Sequence, residues 1–363
     1  MQELPLNPAW YRPDHLDFRE TVRRFVAREL LPQAAAWDEA GSFPRELYLR
    51  AAETGLFGLG FPAEYGGIEG TDMFHRLIAS LELAQCGSGG LVASLMSHTI
   101  GAPPIAELGS AELKARVLPR ILSGEKISAL AITEPSGGSD VAALRTTARR
   151  DGDHWVVNGE KTFITSGMRA DYLTVAVRTD PEARGPRGLS VLLIEGDAPG
   201  LGRSLLSKMG WWASDTAHLT FSDCRVPAGN LLGAEGAGFA AVMSNFNAER
   251  FSLAASALGF AWVCYQEALA WARERRTFGQ RLADHQVIRH RLVDMRSRIE
   301  AARALLEDTA ARMDHETTPD AGLVASICML KNVATRTMQH CADAAVQIEG
   351  CLLYTSDAAD ELT

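Results

Sequence analysis

The chain changes its period twice, and few folds are compatible with that. Up to about residue 125, and again from about residue 234, apolar side chains recur every three or four positions, as on a helix with one buried face. Between about 126 and 230 the repeat falls to two, in short runs rich in Val, Ile, Thr and Leu. In the first stretch Phe18, Val22, Phe25, Val26 and Leu30 share a helical face that Pro32 ends, and Leu47, Ala51, Leu56 and Leu59 begin another. PAEYGGIEG (62–70) is a turn-rich break, and helices are expected around 71–86, 88–99 and 111–123. In the middle, ISALAIT, HWVVNG, KTFIT, YLTVAV, LSVLLIE and HLTFSD each read as a strand, with Asp151-Gly152 and Asn158-Gly159 as the strongest hairpin signals. The last stretch predicts long helices over 238–275, 286–313 and 321–349, which suggest a bundle. The expected class is α+β: a helical domain over 1–125, an antiparallel sheet or small barrel over 126–233, and a helical bundle over 234–350, with 351–363 set apart.

Composition narrows the function classes. With 363 residues, 47% of them apolar and 22% charged, the chain can bury a large core and reads as an ordinary globular protein. No apolar run is long enough to span a bilayer. The start, MQELPLNPAWYRPDHLDF, has neither the basic and apolar regions of a secretory signal nor the Arg/Ser-rich character of a transit peptide, so the cytoplasm is the expected compartment. The six cysteines form no CxxC pair and no zinc spacing, and read as free thiols. The nine histidines show no HExxH or other metal spacing, and no metal is expected. A net charge of -9 argues against general nucleic-acid binding. The absence of a GxSxG elbow leaves hydrolase chemistry without a nucleophile.

Three places can carry chemistry. In helix 238–260, Val242, Phe246, Leu253, Ala257 and Phe260 fall on one face by the 3.6-residue period, and Glu249 lies on that face with them. A carboxylate in an apolar stripe is either satisfied by an arginine such as neighbouring Arg250, or is a general base whose burial lifts its pKa toward neutrality. TEPSGGSD (133–140) follows a strand, and its small residues allow backbone amides to converge on an anion such as a pyrophosphate; such loops also commonly just turn. It is not a GxGxxG fingerprint, and GAEGAG (233–238) reads as the start of a helix. ARERRTFGQRLADHQ (272–286) sets a basic cluster beside an aromatic, which suits a phosphate and an adenine, or is a solvated helix end.

Taken together, these strings resemble the acyl-CoA dehydrogenase family from the first helix to about residue 350. FPRELYLRAAETGLFGLGFPAEYGG (43–67) looks like its N-terminal signature, and AITEPSGGSDVAALRTTA (131–148) with VVNGEKTFITSG (156–167) like its flavin-contacting segments. KMGWWASDTAHLTFSDCRVPAGNLLG (208–233) and RRTFGQ (275–280) continue the match in order and spacing. The resemblance implies an N-terminal helical domain, a middle β-barrel and a C-terminal four-helix bundle, usually in a homotetramer built as a dimer of dimers, with FAD as cofactor. It implies that Leu130, Ile132 and Thr133 border the isoalloxazine ring, and that Gly138 and Ser139 lie at the pyrophosphate or the pantetheine channel. Phe163 and Thr165 match the family's flavin-edge residues; Arg275, Thr277, Phe278, Gln286 and Gln347 match residues that reach the FAD of a neighbouring subunit.

The family oxidises the α–β bond of an acyl-CoA thioester to a trans-2-enoyl-CoA and passes the electrons to electron-transfer flavoprotein. Most members carry the catalytic base in a loop near the C-terminus. A minority, including long-chain and isovaleryl-type enzymes, carry it as a Glu before an Arg on the first helix of the bundle. FNAERFSLA (246–254) resembles that second arrangement, which makes Glu249 the expected base and puts Ser139, Phe246, Asn247 and Arg250 at the substrate. Medium-to-long or methyl-branched acyl chains are the expected substrates. An acyl-CoA oxidase, a flavin monooxygenase of the same superfamily, a non-catalytic flavoprotein and an inactive fragment are the competing readings.

The match fails after QIEG (347–350), where the family continues for a few dozen residues and this chain gives CLLYTSDAADELT. One codon choice for Cys351–Ser356, with the last base of Gly350 in front, is CTGTCTCTTATACACATCT, which resembles a transposon-end adapter of sequencing libraries. Residues 351–363 are therefore expected to be foreign to the gene, with a genuine divergent C-terminus as the other reading.

Overall fold

The computed structural model describes residues 3–183, 185–316 and 320–350. Helices come first: α1 (Pro13–Phe25), α2 (Ala34–Ala40), α3 (Glu46–Glu53), α4 (Met73–Leu83), α5 (Gly89–Leu95), α6 (His98–Gly101), α7 (Pro103–Leu108) and α8 (Ala111–Leu122). Local chemistry sets several of their ends. The Ser88 and Ser110 hydroxyls accept the Leu91 and Leu113 amides at the starts of α5 and α8, and Gly41 ends α2 in the left-handed region. Eight strands follow: β1 (Ser128–Ala131), β2 (Thr147–Asp151), β3 (His154–Thr165), β4 (Tyr172–Arg178), β5 (Leu189–Glu195), β6 (Leu201–Leu205), β7 (Thr216–Pro227) and β8 (Leu231–Leu232). The chain then returns to helix in α9 (Gly238–Glu274), α10 (Gln286–His315) and α11 (Ala321–Glu349), with a small hairpin, β9 (Arg276–Thr277) and β10 (Gln280–Arg281), between α9 and α10. The described helices and strands follow the α–β–α order that the change of period predicts.

The chain divides into two compact units. One holds Arg24–Asp72 and Ser88–Glu249. Its sheet runs β6-β7-β3-β2-β4-β5-β8, with β1 on β4. Most pairings are antiparallel; β1 and β2 meet β4 in parallel. Alternation splits β4 between two cores. Leu173, Val175 and Val177 pack with Trp155, Val157, Ile164, Leu219 and Phe221 from other strands. Tyr172 and Ala176 face Val117, Leu118, Ile121 and Leu122 of α8. With both faces covered, β4 is buried at every residue but its last.

The other unit holds the described residues up to Arg23, Met73–Gly87 and the described residues from Arg250 on. Its core joins Leu77, Ile78 and Leu81 of α4 to Phe251, Leu258 and Trp262 of α9, Met295, Ile299 and Leu306 of α10, and Leu330 and Ala334 of α11. Alanines on α9 and Gly259 allow close approach: a Cβ at Gly259 would lie 2.6 Å from Ala84 Cβ and 2.9 Å from the Leu81 carbonyl oxygen.

Two expectations are corrected. Asp151-Gly152 does turn a hairpin, with Asp151 opposite His154 and Gly152 at φ 60°. Asn158-Gly159 does not; it lies inside β3, which joins the runs HWVVNG and KTFIT into one strand. There Gly159, at φ 141°, serves a bulge and a close approach, since a Cβ would lie 2.7 Å from Thr146 Cα. The Asn158 side chain exchanges hydrogen bonds with Asp223, 3.1 Å to its carboxylate and 2.9 Å from its amide. The apolar stripe on α9 also holds only at its start. Val242 is buried but Leu253 is 42% exposed, and the buried line past Arg250 runs through Phe251, Ala254, Ala255, Leu258, Ala261 and Trp262. Apolar residues occupy nearly every side of this helix, so its period offers several equivalent stripes and packing selects among them.

Candidate active site

After β1 the chain makes a tight turn in which Glu134 and Gly137 exchange backbone hydrogen bonds of 3.1 and 3.0 Å. Lys161 of β3 secures it. Its side chain is wholly buried, and Nζ donates to the Ile132 carbonyl and to Glu134 Oε1, both at 2.9 Å. The buried Glu134 carboxylate also accepts the Arg145 and Thr146 amides at 2.7 and 2.9 Å, and the Thr162 amide donates to the Thr133 carbonyl at 2.8 Å. Burial works to raise the Glu134 carboxyl, but the Lys161 ammonium and Thr146 outweigh it and hold the group below the usual carboxylate range. Burial takes the Lys161 ammonium down to about 8 against the pull of Glu134. These bonds fasten the segment around Ile132 and Thr133 to the one that carries Phe163 and Thr165.

Between Lys161 and Ile164 the pairing of β3 with β7 shifts register, and Phe163 takes φ 60°. Thr162 and Ile164 are buried, yet the Phe163 ring is 69% exposed. Both the left-handed backbone and the wetted ring cost energy that the strand itself does not return. Gly138 closes the turn from the other side: a Cβ there would lie 2.9 Å from Thr133 Cγ2, so a side chain at this position would have to displace that methyl. Ser139 is exposed, while Leu130, opposite Thr174 across β1 and β4, is half-buried like Thr133 and Thr165.

The start of α9 meets the same core. A Cβ at Gly238 would lie 2.6 Å from the Ser190 carbonyl carbon, so the helix begins with its backbone against β5. Val242 and Phe246 then pack in the cluster that contains Ile132 and Leu130, and Asn245 Nδ2 donates to the Ile100 carbonyl at 2.9 Å. Glu249 follows Phe246 by one turn on the same face and is half-buried, as are Asn247 and Arg250.

Arg275, Thr277, Phe278, Gln286 and Gln347 belong to the other unit. Phe278 and Gly279 form a two-residue turn between β9 and β10 with φ 49° and 80°, a type I′ hairpin, and the Phe278 ring is 98% exposed. Arg275 lies over the Trp271 ring at 5.9 Å, and Thr277 Oγ1 is 3.1 Å from His285 Nε2. Gln286 lines a groove of about 550 Å³ between α10 and α11 with His290, Arg291 and Asp343; Gln347 is exposed in the last turn of α11.

Comparison with known proteins decides what this scaffold is. Models of the acyl-CoA dehydrogenase N-terminal, middle and C-terminal domains match residues 12–125, 129–224 and 236–361. The chain belongs to the acyl-CoA dehydrogenase family. It is 40% identical to cyclohexane-1-carbonyl-CoA dehydrogenase of Geobacter metallireducens over 81% of this chain and 77% of that one. The crystal structure of acyl-CoA dehydrogenase from Geobacillus kaustophilus superposes with a TM-score of 0.90 at 35% identity, covering 96% of this chain and 90% of that one. A glutaryl-CoA dehydrogenase from Mycobacterium smegmatis, solved in complex with FADH2, gives 0.88 at 29%, covering 96% and 87%.

The residues of this acyl-CoA dehydrogenase fit the FAD to which the family points. A flat ring system would cover the exposed Phe163, and the side-chain-free Gly138 suits close approach of a bulky ligand to the turn. Sequence reasoning passed over Lys161 and Glu134. Their signal was a lysine at an inward position of a strand and a glutamate directly after one. Among the described residues Asp14, His15 and His75 lie close enough to hold a cation. Of these, His15 Nδ1 already accepts the Arg12 amide at 3.0 Å. Residues 351–363, expected to be foreign, lie outside the described residues, and the C-terminal family match runs to 361.

Proposed function

We propose that this acyl-CoA dehydrogenase uses FAD to convert an acyl-CoA thioester to its trans-2-enoyl-CoA, with Glu249 as the base. The reading rests on one observation: a half-buried carboxylate stands one turn past Phe246, on the helix that packs beside Leu130 and Ile132. Glu249 takes the α-proton, the β-carbon gives up a hydride, and the electron pair of the α C–H bond becomes the new double bond. The cofactor, when bound, supplies the acceptor for that hydride.

Leu130, Ile132, Thr133, Gly138, Ser139, Phe163 and Thr165 would hold FAD, and Ser139, Phe246, Asn247 and Arg250 would border the acyl-CoA. Arg275, Thr277, Phe278, Gln286 and Gln347 would reach the FAD of a neighbouring subunit in a homotetramer. The wholly exposed Phe278 and the exposed Val287, Val293, Met329, Val333 and Val346 of α10 and α11 favour such self-association. Electron-transfer flavoprotein is the proposed acceptor. No described helix is long and apolar enough to cross a membrane, and the proposed compartment is the cytoplasm.

Glu249→Gln tests the assignment. Steady-state turnover with an acyl-CoA panel should fall on the order of 10²–10⁴-fold while the visible spectrum of bound flavin persists. Turnover within a few-fold of the parent would remove Glu249 from the mechanism.

A further inference from the structure

We propose that Lys161 and Glu134 form a positioning pair that sets the spacing between the two walls of the flavin site, Ile132–Thr133 on one side and Phe163–Thr165 on the other. The proposal rests on the FAD reading above. Two consecutive residues of β3, Lys161 and Thr162, hold three consecutive residues of the turn: Ile132 and Thr133 by their carbonyls and Glu134 by its carboxylate. The Ile132 carbonyl follows directly on the last residue of β1, and a lysine side chain carries its donor across from β3. Glu134 in turn ties down the Arg145 and Thr146 amides, which lead into β2.

Stability does not account for such a pair. Lysine and glutamate are seldom fully buried, and two well-packed apolar residues would commonly stabilise a core as much or more. What the ion pair adds is direction. Its hydrogen bonds have fixed lengths, and they act immediately before the register shift from which Phe163 projects with a left-handed backbone. Neither residue is assigned a contact with substrate or cofactor. Both act through the Ile132 and Thr133 backbone and through the placement of Phe163 and Thr165.

The test uses the full chain stripped of FAD and titrated with FAD, comparing the parent with Lys161→Met, Glu134→Gln and the double variant. Three properties are read: FAD affinity by flavin fluorescence, visible circular dichroism of the bound flavin, and the melting temperature of the apoprotein. The double variant leaves no charge unpaired, so its apoprotein should still fold cooperatively, with a melting temperature lowered by the Ile132 carbonyl and a backbone amide left without partners. It should nevertheless bind FAD roughly tenfold more weakly, with an altered flavin dichroism, because the Ile132 carbonyl has lost its donor. Glu134→Gln alone keeps the Lys161–Ile132 bond and should change the dichroism with a smaller loss of affinity; it decides the matter if the double variant does not fold. Parent-like FAD affinity and dichroism in the variants overturn the proposal, even if their melting temperatures drop. A parent chain that takes up no FAD instead sinks the cofactor reading, and this proposal with it.

Discussion

Glu134 accepts hydrogen bonds from a lysine and two backbone amides while almost wholly buried, and the folded chain therefore prefers it ionised. Its carboxyl is held below the ordinary value of 4.5, so the folded state gives up this proton more readily than the unfolded one. The resulting stabilisation is complete above that ordinary value and is lost as the pH falls through the folded value. Glu134→Gln removes the titration. The melting-temperature gap between parent and variant should thus be widest above the ordinary carboxylate value of 4.5 and should narrow as the pH is lowered beneath it. A gap that stays constant over that range would mean that Glu134 does not carry the charge ascribed to it. At this scale sequence reading is weakest. Glu249 can be singled out because a charge breaks a local pattern, whereas Lys161 meets Glu134 across 27 positions of chain, and no period within a strand announces such a pairing.

Elements were more legible, for a physical reason. A helix is stabilised by neighbours three and four residues away, so the limits predicted for the last three helices, 238–275, 286–313 and 321–349, lie within two residues of those of α9, α10 and α11. Asn158-Gly159 misled because glycine serves both tight turns and close approaches, and only the segment carrying Thr146, just before β2, distinguishes the two uses. Gly259 poses the same question inside a helix. By intrinsic propensity, Gly259→Ala on α9 should stabilise by about 1 kcal/mol. Because the new methyl would meet Ala84 Cβ at 2.6 Å and the Leu81 carbonyl oxygen at 2.9 Å, the expected sign is the reverse, a loss of roughly 1–3 kcal/mol by urea denaturation. A stabilised variant would show that the two segments separate without penalty.

For the whole molecule the open variable is the number of copies. If self-association covers α10 and α11, the FAD-loaded chain should sediment as a tetramer, and Val293→Asp should shift it toward smaller species with an unchanged far-ultraviolet spectrum. A parent that sediments as a monomer at micromolar concentration would exclude that assembly. The hairpin tip at Phe278 then acquires a particular meaning. A bulky ring kept in water on a left-handed backbone is something a solitary chain would do better without. Exchange for asparagine would relax the lone copy and impoverish the collective. The fitness of this residue would then be decided in another molecule of the same protein, and damage there would look harmless in any assay that watches one chain fold.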